Sequence, residues 1–474
     1  MPGVDALRVT TVGPWGLRGE VEDALAAGGV VEALFAAHGA DGVAEVRCVV
    51  ALPDGPLLVR CPLPAGVAPS VVDLVPALDW DEREAHDLHG VTFEGGVHRP
   101  LVDHPEDPAA WMTPVAGTDV HQVAVGPIHA GVIESGHFRF HAVGERILHV
   151  DARLFHKHRG LERAAEGRAA PDALPVVQRA CAACAVANTV AFAEAVEQAR
   201  GMWPDEPMRR ARTLLLELER LYNHLNDLGQ ICAGVGLAPG AMAFAGFKER
   251  AQRVVHGLVG HRFLFGSVAV GASDLPLPAA AVAAARRDLA DLRADATRAG
   301  RSLLLDAALR DRTRGTGVVS RDEARRLGMV GPAARASGLA GDVREGSPRL
   351  WYAGFRAASP EDPAGDVAAR VEVRVVELRQ TFDLLDDLLS GPLGPGGATV
   401  AGSPRAHGVG RVEGARGRTV CAVELDGDVA RRVHLRTGSY ANWPAVARAA
   451  AGATLPDFPL INKSFELCYA CVDR

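Results

Sequence analysis

Two stretches decide how this chain is read: Gln178-Arg179-Ala180-Cys181-Ala182-Ala183-Cys184, and Phe465-Glu466-Leu467-Cys468-Tyr469-Ala470-Cys471-Val472-Asp473-Arg474. A Cys-x-x-Cys pair sets two sulfurs on one side of a helical turn or knuckle, close enough to share a metal ion. One pair is weak evidence. Two pairs build a four-thiolate site if the fold brings them together. Cys468 stands 284 positions after Cys184. A zinc knuckle gathers its ligands from a short stretch, whereas a site drawn from such distant segments suits a large catalytic core. On spacing alone, two unrelated buried pairs, or one redox pair and an accident, stand at even odds with a shared site. Cys48, Cys61, Cys232 and Cys421 follow no such pattern and read as buried apolar filler.

Composition narrows the class. The chain has 474 residues with 8 cysteines, 48% hydrophobic and 23% charged residues. Those values exclude a disulfide scaffold and wholesale disorder, and they suit two or three domains or one large domain with an appendage. The formal net charge of -7 argues against a nucleic-acid binder driven by bulk charge. Lys157, Lys248 and Lys463 are the only lysines among 51 basic residues. Beside so much Ala, Gly and Val, that arginine excess reads as GC-rich coding. Residues 1–30 lack the basic start, apolar run and cleavage site of a secretory signal. The apolar runs 180–193 and 263–273 fall short of the ~18–20 residues of a spanning helix. A reducing cytoplasmic location is expected, where Cys-x-x-Cys means metal or redox work more often than a structural disulfide.

Hydrophobic periodicity gives a coarse layout. Residues 1 to about 100 read as a small α+β unit, with a helix over 21–38, strands at 44–50 and 57–61, and a charged helix over 79–88. The Pro-, His- and Asp-rich stretch 95–114 reads as a linker. Beyond it, 132–150 predicts strand, turn, strand. Helices are expected within 159–200 and at 208–228, 246–265, 278–305, 319–328 and 366–390. A Gly/Pro loop follows at 391–402, then strands over 410–437.

Several motifs now converge on one family. Gly126-Pro127-Ile128-His129, continuing through Glu134 to Arg139, resembles the N-terminal signature of the large catalytic subunits of NiFe hydrogenases. It is most similar to the energy-converting, membrane-bound group, whose large subunits are related to the 49-kDa quinone-site subunit of complex I. His156-Lys157-His158-Arg159-Gly160-Leu161-Glu162 resembles their shared His-Arg-Gly-x-Glu element, and the two cysteine stretches resemble their cysteine motifs. Glu82-Arg83-Glu84-Ala85-His86-Asp87-Leu88 resembles the signature of the 30-kDa subunit of complex I. Such a module is fused to the large subunit in formate-hydrogenlyase-type hydrogenases. The resemblance implies an α+β chain: a 30-kDa-like docking module over 1–112, then a mainly helical large-subunit domain with short β elements over 113–474.

It also implies roles. Cys181, Cys184, Cys468 and Cys471 would bind nickel, with Cys184 and Cys471 bridging to an iron that carries CO and cyanide. Soft thiolates suit nickel in such a site. H2 would be formed or split heterolytically, with Cys468 passing the proton to Glu134. Arg416 would stand over the open nickel–iron position, polarising H2 or stabilising charge. Glu162 would serve a second site for magnesium or iron. Read without the family, Glu134 is a surface carboxylate at a strand end, Glu162 a salt-bridge partner of Arg159 or Arg163, and Arg416 a β-turn arginine. Glu413 reads as structural, and Glu219-Arg220 with His224 as helix packing. The seven histidines between 121 and 158 read as proton-path or core residues. The chain departs from the family at Ala182 for glycine, Asn188 for histidine, Glu466-Leu467 for Asp-Pro, Ala415 for proline, and Arg474 for a metal-binding histidine. None of these removes a nickel ligand.

The expected protein is the catalytic large subunit of a membrane-associated NiFe hydrogenase, part of a formate-hydrogenlyase-type complex on the cytoplasmic face of the cell membrane. Too few cysteines remain for an iron–sulfur cluster in this chain. Electrons would therefore leave through a small hydrogenase subunit with a [4Fe-4S] cluster. Ferredoxin-like and membrane ion-pumping subunits would complete a hetero-oligomeric complex, with no nucleic acid. Two other readings are a non-catalytic complex I-like quinone-site or coupling subunit, and a structural protein holding zinc in the four cysteines.

Overall fold

The computed structural model describes residues 6–39, 41–96, 98–129, 134–273, 275 and 277–474. Residues 130–133 of the first motif, and with them the start of the strand expected from 132, lie outside this set.

Helices and strands mix throughout, as an α+β chain requires. The N-terminal sheet holds β1 (Arg8–Thr11), β2 (Val30–His38), β3 (Ala44–Leu52) and β4 (Gly55–Pro62) in the order β1-β4-β3-β2. β1 runs parallel to β4, and the other pairs are antiparallel. The helices α1 (Gly16–Ala26) and α2 (Asp79–His89) complete the unit. The single helix expected over 21–38 is wrong. α1 stops at Ala26, Gly28 turns the chain at φ +80°, and β2 follows. The error has a physical cause. β2 is buried on both faces, so it reads as an unbroken apolar run that periodicity cannot tell from a buried helix. One face packs on Leu17, Val21 and Leu78, and the other packs through Phe35 and Ala33 on Val409, Val420 and Ala422.

The rest is arranged around the helix Ala185–Ala199, which is buried at every position. It lies directly on the strand His407–Gly414, first of an antiparallel ladder with Gly417–Asp426 and Val429–Arg436. Glycine makes this contact: a Cβ at Gly408 would meet the Ala195 carbonyl at 1.9 Å, and one at Gly410 would meet the Ala191 carbonyl at 1.9 Å. Behind this layer run the long helix Glu206–Gly234, N-capped by Asp205, and the helices Ala238–Val259, Ala279–Leu305 and Val367–Ser390. These four helices appear at or near the expected positions. The expected loop 391–402 contains the short strand Gly396–Val400, which pairs with Met202–Pro204 and Ala272–Ser273. Its pairing partners are remote in sequence, so no local pattern announces it.

Several of the arginines are paired inside the core. Arg212 pairs with Glu197 at 2.6 Å, Arg344 with Asp342 at 2.7 Å, Arg335 with Asp342 at 3.0 Å and Arg374 with Asp227 at 3.0 Å, all within the core. A buried lysine sheds its proton readily. A guanidinium does not, and its five N–H donors can satisfy several acceptors at once. Removing one partner from such a pair costs about 3–5 kcal/mol, because the other charge stays buried.

Glu82 on α2 gives a pH test of the N-terminal unit. Its carboxylate accepts from the Ser70 hydroxyl at 2.8 Å and the Val71 N–H at 2.7 Å. Burial pushes it up from 4.5 to about 7. The folded state therefore binds the proton more tightly than the unfolded state. That stabilisation is fully present below pH 4.5 and is lost as pH rises through about 7. Glu82→Gln is expected to flatten this fall in urea unfolding across that window. An unchanged pH slope in the variant overturns the assignment.

Candidate metal centre

Cys181 and Cys184 flank the tight turn Ala182–Cys184 that leads into the helix Ala185–Ala199. The start of that helix is held from the long helix: the Glu219 carboxylate accepts the N–H groups of Val186 at 2.7 Å and Ala187 at 3.1 Å. Asn223 donates to the Ala183 carbonyl at 2.7 Å, inside the first cysteine turn. Cys468 and Cys471 follow the helix Phe458–Phe465, and the Cys468 N–H is held by Ser439 Oγ at 3.0 Å. Arg159 ties the two turns together. It donates to the carbonyls of Arg179 at 3.0 Å and Ala180 at 2.9 Å, and lies 3.5 Å from that of Ala470.

The result is one cluster. The four sulfurs lie within 4.8 Å of one another, and Cys184 Sγ is 3.7 Å from Cys468 Sγ. None of the four is in a disulfide. A tetrahedron with metal–sulfur bonds of ~2.3 Å has edges of roughly 3.8 Å, so the spacing suits a bound cation. Cys181, Cys184 and Cys471 are buried, while Cys468 is partly exposed. Hydrogen bonds from the neighbouring thiols, Cys181 first, hold Cys468 well below the usual thiol range. Cys184 and Cys471, each hydrogen-bonded first to Cys181, are pushed well above it.

Unpartnered polar atoms surround the sulfurs. Arg416 donates through Nε to the Glu466 carbonyl at 2.9 Å and through Nη2 to Asp227 at 3.2 Å. Its Nη1 is buried and has no hydrogen-bond partner among the described residues. Burial works against the Arg416 charge, but Asp227, Cys468 and Cys184 outweigh it and raise its pKa. The Asn188 amide, one helical turn beyond Cys184, and the Tyr222 hydroxyl are likewise buried without partners among the described residues. Such atoms are uncommon in native proteins and call for an explanation. Here they fit a bound group that brings hydrogen-bonding atoms of its own.

The expected site residues fall into two places. Glu134, exposed and just ahead of the strand His137–Val143, accepts the Ala470 N–H at 2.8 Å. Its carboxylate thus sits on the second cysteine turn. Arg416 is a buried, paired arginine beside the sulfurs and not a free turn residue. Glu162 belongs to a different cluster: it pairs with Arg432 at 3.0 Å, Arg474 at 3.1 Å and His434 at 3.3 Å. Arg163 pairs instead with Glu166. Glu413 accepts the Val343 N–H at 3.2 Å. Among the histidines, His141 and His149 each pair with Asp151, and His158 meets the Asp473 carbonyl.

Reading Glu219, Arg220 and His224 as plain packing understates them. Arg220 donates to the carbonyls of Gly414 at 3.1 Å and Glu413 at 2.6 Å, gripping the strand end that carries Arg416. Arg159 and Asp227 were also missed as positioning residues. The available signal was ionisable residues at 217, 220, 224 and 227, recurring at helical spacing beside leucines at 214, 218, 221, 225 and 228.

The comparisons agree with this geometry. Residues 159–233 match the family described as nickel-dependent hydrogenase. Residues 30–112 match the 30 Kd subunit of respiratory-chain NADH dehydrogenase, and residues 235–394 and 397–474 match its 49 Kd subunit. Formate hydrogenlyase subunit 5 of Escherichia coli (strain K12) is 30% identical, over 86% of this chain and 77% of its own. Hydrogenase-4 component G of the same organism is 31% identical, over 86% of this chain and 76% of its own. A solved chain of the membrane-bound sulfane sulfur reductase, an archaeal respiratory membrane complex, superposes with a TM-score of 0.70 at 26% identity. That superposition covers 76% of this chain and 100% of the solved one.

This is a large subunit of the hydrogenase and complex I type, and an oxidoreductase. Within that class, the chain belongs to the energy-converting, formate-hydrogenlyase-type NiFe hydrogenase large subunits fused to a complex I 30-kDa-like module.

The Arg159 tie generates a prediction. Co2+ added to the full chain is expected to give thiolate-to-cobalt charge-transfer absorption. Arg159→Ala should weaken that binding about tenfold, the lower end of what losing an outer partner does to a metal site. Unchanged affinity removes Arg159 from the site.

Proposed function

We propose that this chain is the catalytic large subunit of a membrane-associated NiFe hydrogenase, forming or oxidising H2 at the four cysteines. The observation that supports it most is the single four-sulfur cluster ringed by unpartnered donors. Cys181, Cys184, Cys468 and Cys471 would hold nickel, with Cys184 and Cys471 shared with an iron bearing CO and cyanide. Bound there, the group supplies a position at which H2 is formed or split heterolytically.

The chain's own residues handle the proton. Cys468 is the partly exposed sulfur of the four, so its Sγ is the one from which a proton would leave. Glu134 accepts the Ala470 N–H, two residues past Cys468, and would be the carboxylate that takes the proton on. Arg416 keeps one buried nitrogen, Nη1, without a partner among the described residues, and a fixed guanidinium near Cys468 and Cys184 would steady developing negative charge. The residues around Glu162 do not fit the second magnesium or iron, because the Arg474 guanidinium already pairs with that carboxylate.

The division into a module over 1–112 and a catalytic domain over 113–474 is part of the same proposal. It is supported by a separate core cluster built only from residues between Leu17 and Val91. No described helix is long and apolar enough to cross a membrane. We place the chain peripherally on the cytoplasmic face. There it would join a small subunit with a [4Fe-4S] cluster, ferredoxin-like subunits and ion-pumping membrane subunits.

Metal analysis with infrared spectroscopy tests the centre. The expected result is nickel and iron at about one each per chain, with CO and cyanide bands. Zinc alone would establish a structural site, and a metal-free chain a complex I-like coupling subunit. Cys468→Ser is expected to abolish H2 turnover. Glu134→Gln should retain both metals yet lose H2/D2 exchange, and retained exchange would rule out the proton relay.

A further inference from the structure

A second cluster lies where the N-terminal unit meets the cysteine-bearing end of the chain. Glu84 from α2, Glu162 from the helix Leu161–Ala165 and His434 from the strand Val429–Arg436 bring ligand atoms within 4.8 Å of one another. Two carboxylates and an imidazole are a donor set for a divalent cation. His434 Nε2 is buried with no hydrogen-bond partner among the described residues. Yet a cation of the chain's own is already there. Arg474 Nη2 lies 2.6 Å from Glu84 Oε1 and also reaches Oε2, while Nη1 lies 3.1 Å from Glu162 Oε1. Arg474 also donates to the Leu435 carbonyl and stands 4.8 Å from the Tyr440 ring centroid. The side chain is almost wholly buried.

We propose that the Arg474 guanidinium is a built-in cation standing in the place of a divalent metal, and that through it Glu84 of the N-terminal unit positions the cysteine turn. The helix Ala470–Asp473 carries Cys471 and ends against Arg474, so a hold on Arg474 is a hold on that thiol. The same segment is steadied by Asp473, which accepts the N–H of Phe155 at 2.7 Å. Without Arg474, Glu162 keeps Arg432 and His434, while Glu84 loses the guanidinium that pairs with both its oxygens. With the His434 nitrogen beside them, the two carboxylates then form an open cation site. The N-terminal unit is in this sense a structural part of the metal centre, not only a docking element.

The test is chemical rescue in the full chain. Arg474→Ala is expected to lower the melting temperature and to weaken Co2+ binding at the cysteines about tenfold. Millimolar Mn2+ should restore both, with a bound-Mn2+ EPR signal absent from the unchanged protein. Adding Glu84→Gln to that variant should abolish both the rescue and the signal. Absence of bound Mn2+ in Arg474→Ala, or rescue indifferent to Glu84→Gln, overturns the proposal. If Arg474→Ala does not fold, Arg474→His, which returns a ring ligand, must bind Mn2+ stoichiometrically, and failure there also overturns it. None of these readouts depends on which metal the cysteines take. A zinc-bearing chain would sink the hydrogenase reading and leave this one standing.

Discussion

The structure depends on bringing four thiols from two segments, 284 positions apart at Cys184 and Cys468, within 4.8 Å. Each turn is fastened from outside. Glu219 and Asn223 hold the first, Ser439 and Glu134 hold the second, and Arg159 spans both. The layer behind is correspondingly rigid. A helix buried on all sides lies on a glycine-bearing strand with no room for a Cβ, so the first cysteine turn cannot slide along it.

Charge is handled by the same principle. Burying an ion pair recovers little net stability, but leaving one partner unpaired is expensive, so these pairs specify geometry more than they add strength. Asp227 is held by Arg374 and in turn holds Arg416 beside the sulfurs. Arg220 holds the end of the strand that presents Arg416. A charged group with two fixed partners has one position available to it, and that constraint holds Arg416 where it stands.

The N-terminal unit is bound to the rest by both kinds of contact. Its sheet packs apolar residues on Val409, Val420 and Ala422. Around that patch, Arg47 pairs with Glu424, Arg436 with Asp81, and Arg411 and Arg418 with Glu32. Two carboxylates of this unit, Glu32 and Asp81, are thus sunk against the rest of the chain.

Much was legible in the residue order. The cysteine pairs declare themselves through spacing, and the long helices through period, because a helical face repeats at a fixed interval wherever one side meets water. Helix and strand could not be told apart in 21–38, because β2 meets water on neither side. The strand Gly396–Val400 was hidden because its partners are remote. Family motifs picked out Glu134, Arg416 and the four cysteines. They could not say that Glu134 would touch the Ala470 N–H, or that Glu162 would find Arg474 where a metal ligand was expected. The amino-acid sequence by itself determined which groups could bind metal and where the long helices run. Only the tertiary structure decided which groups meet, because a hydrogen bond or ion pair forms over about 3 Å of space, whatever the distance along the chain.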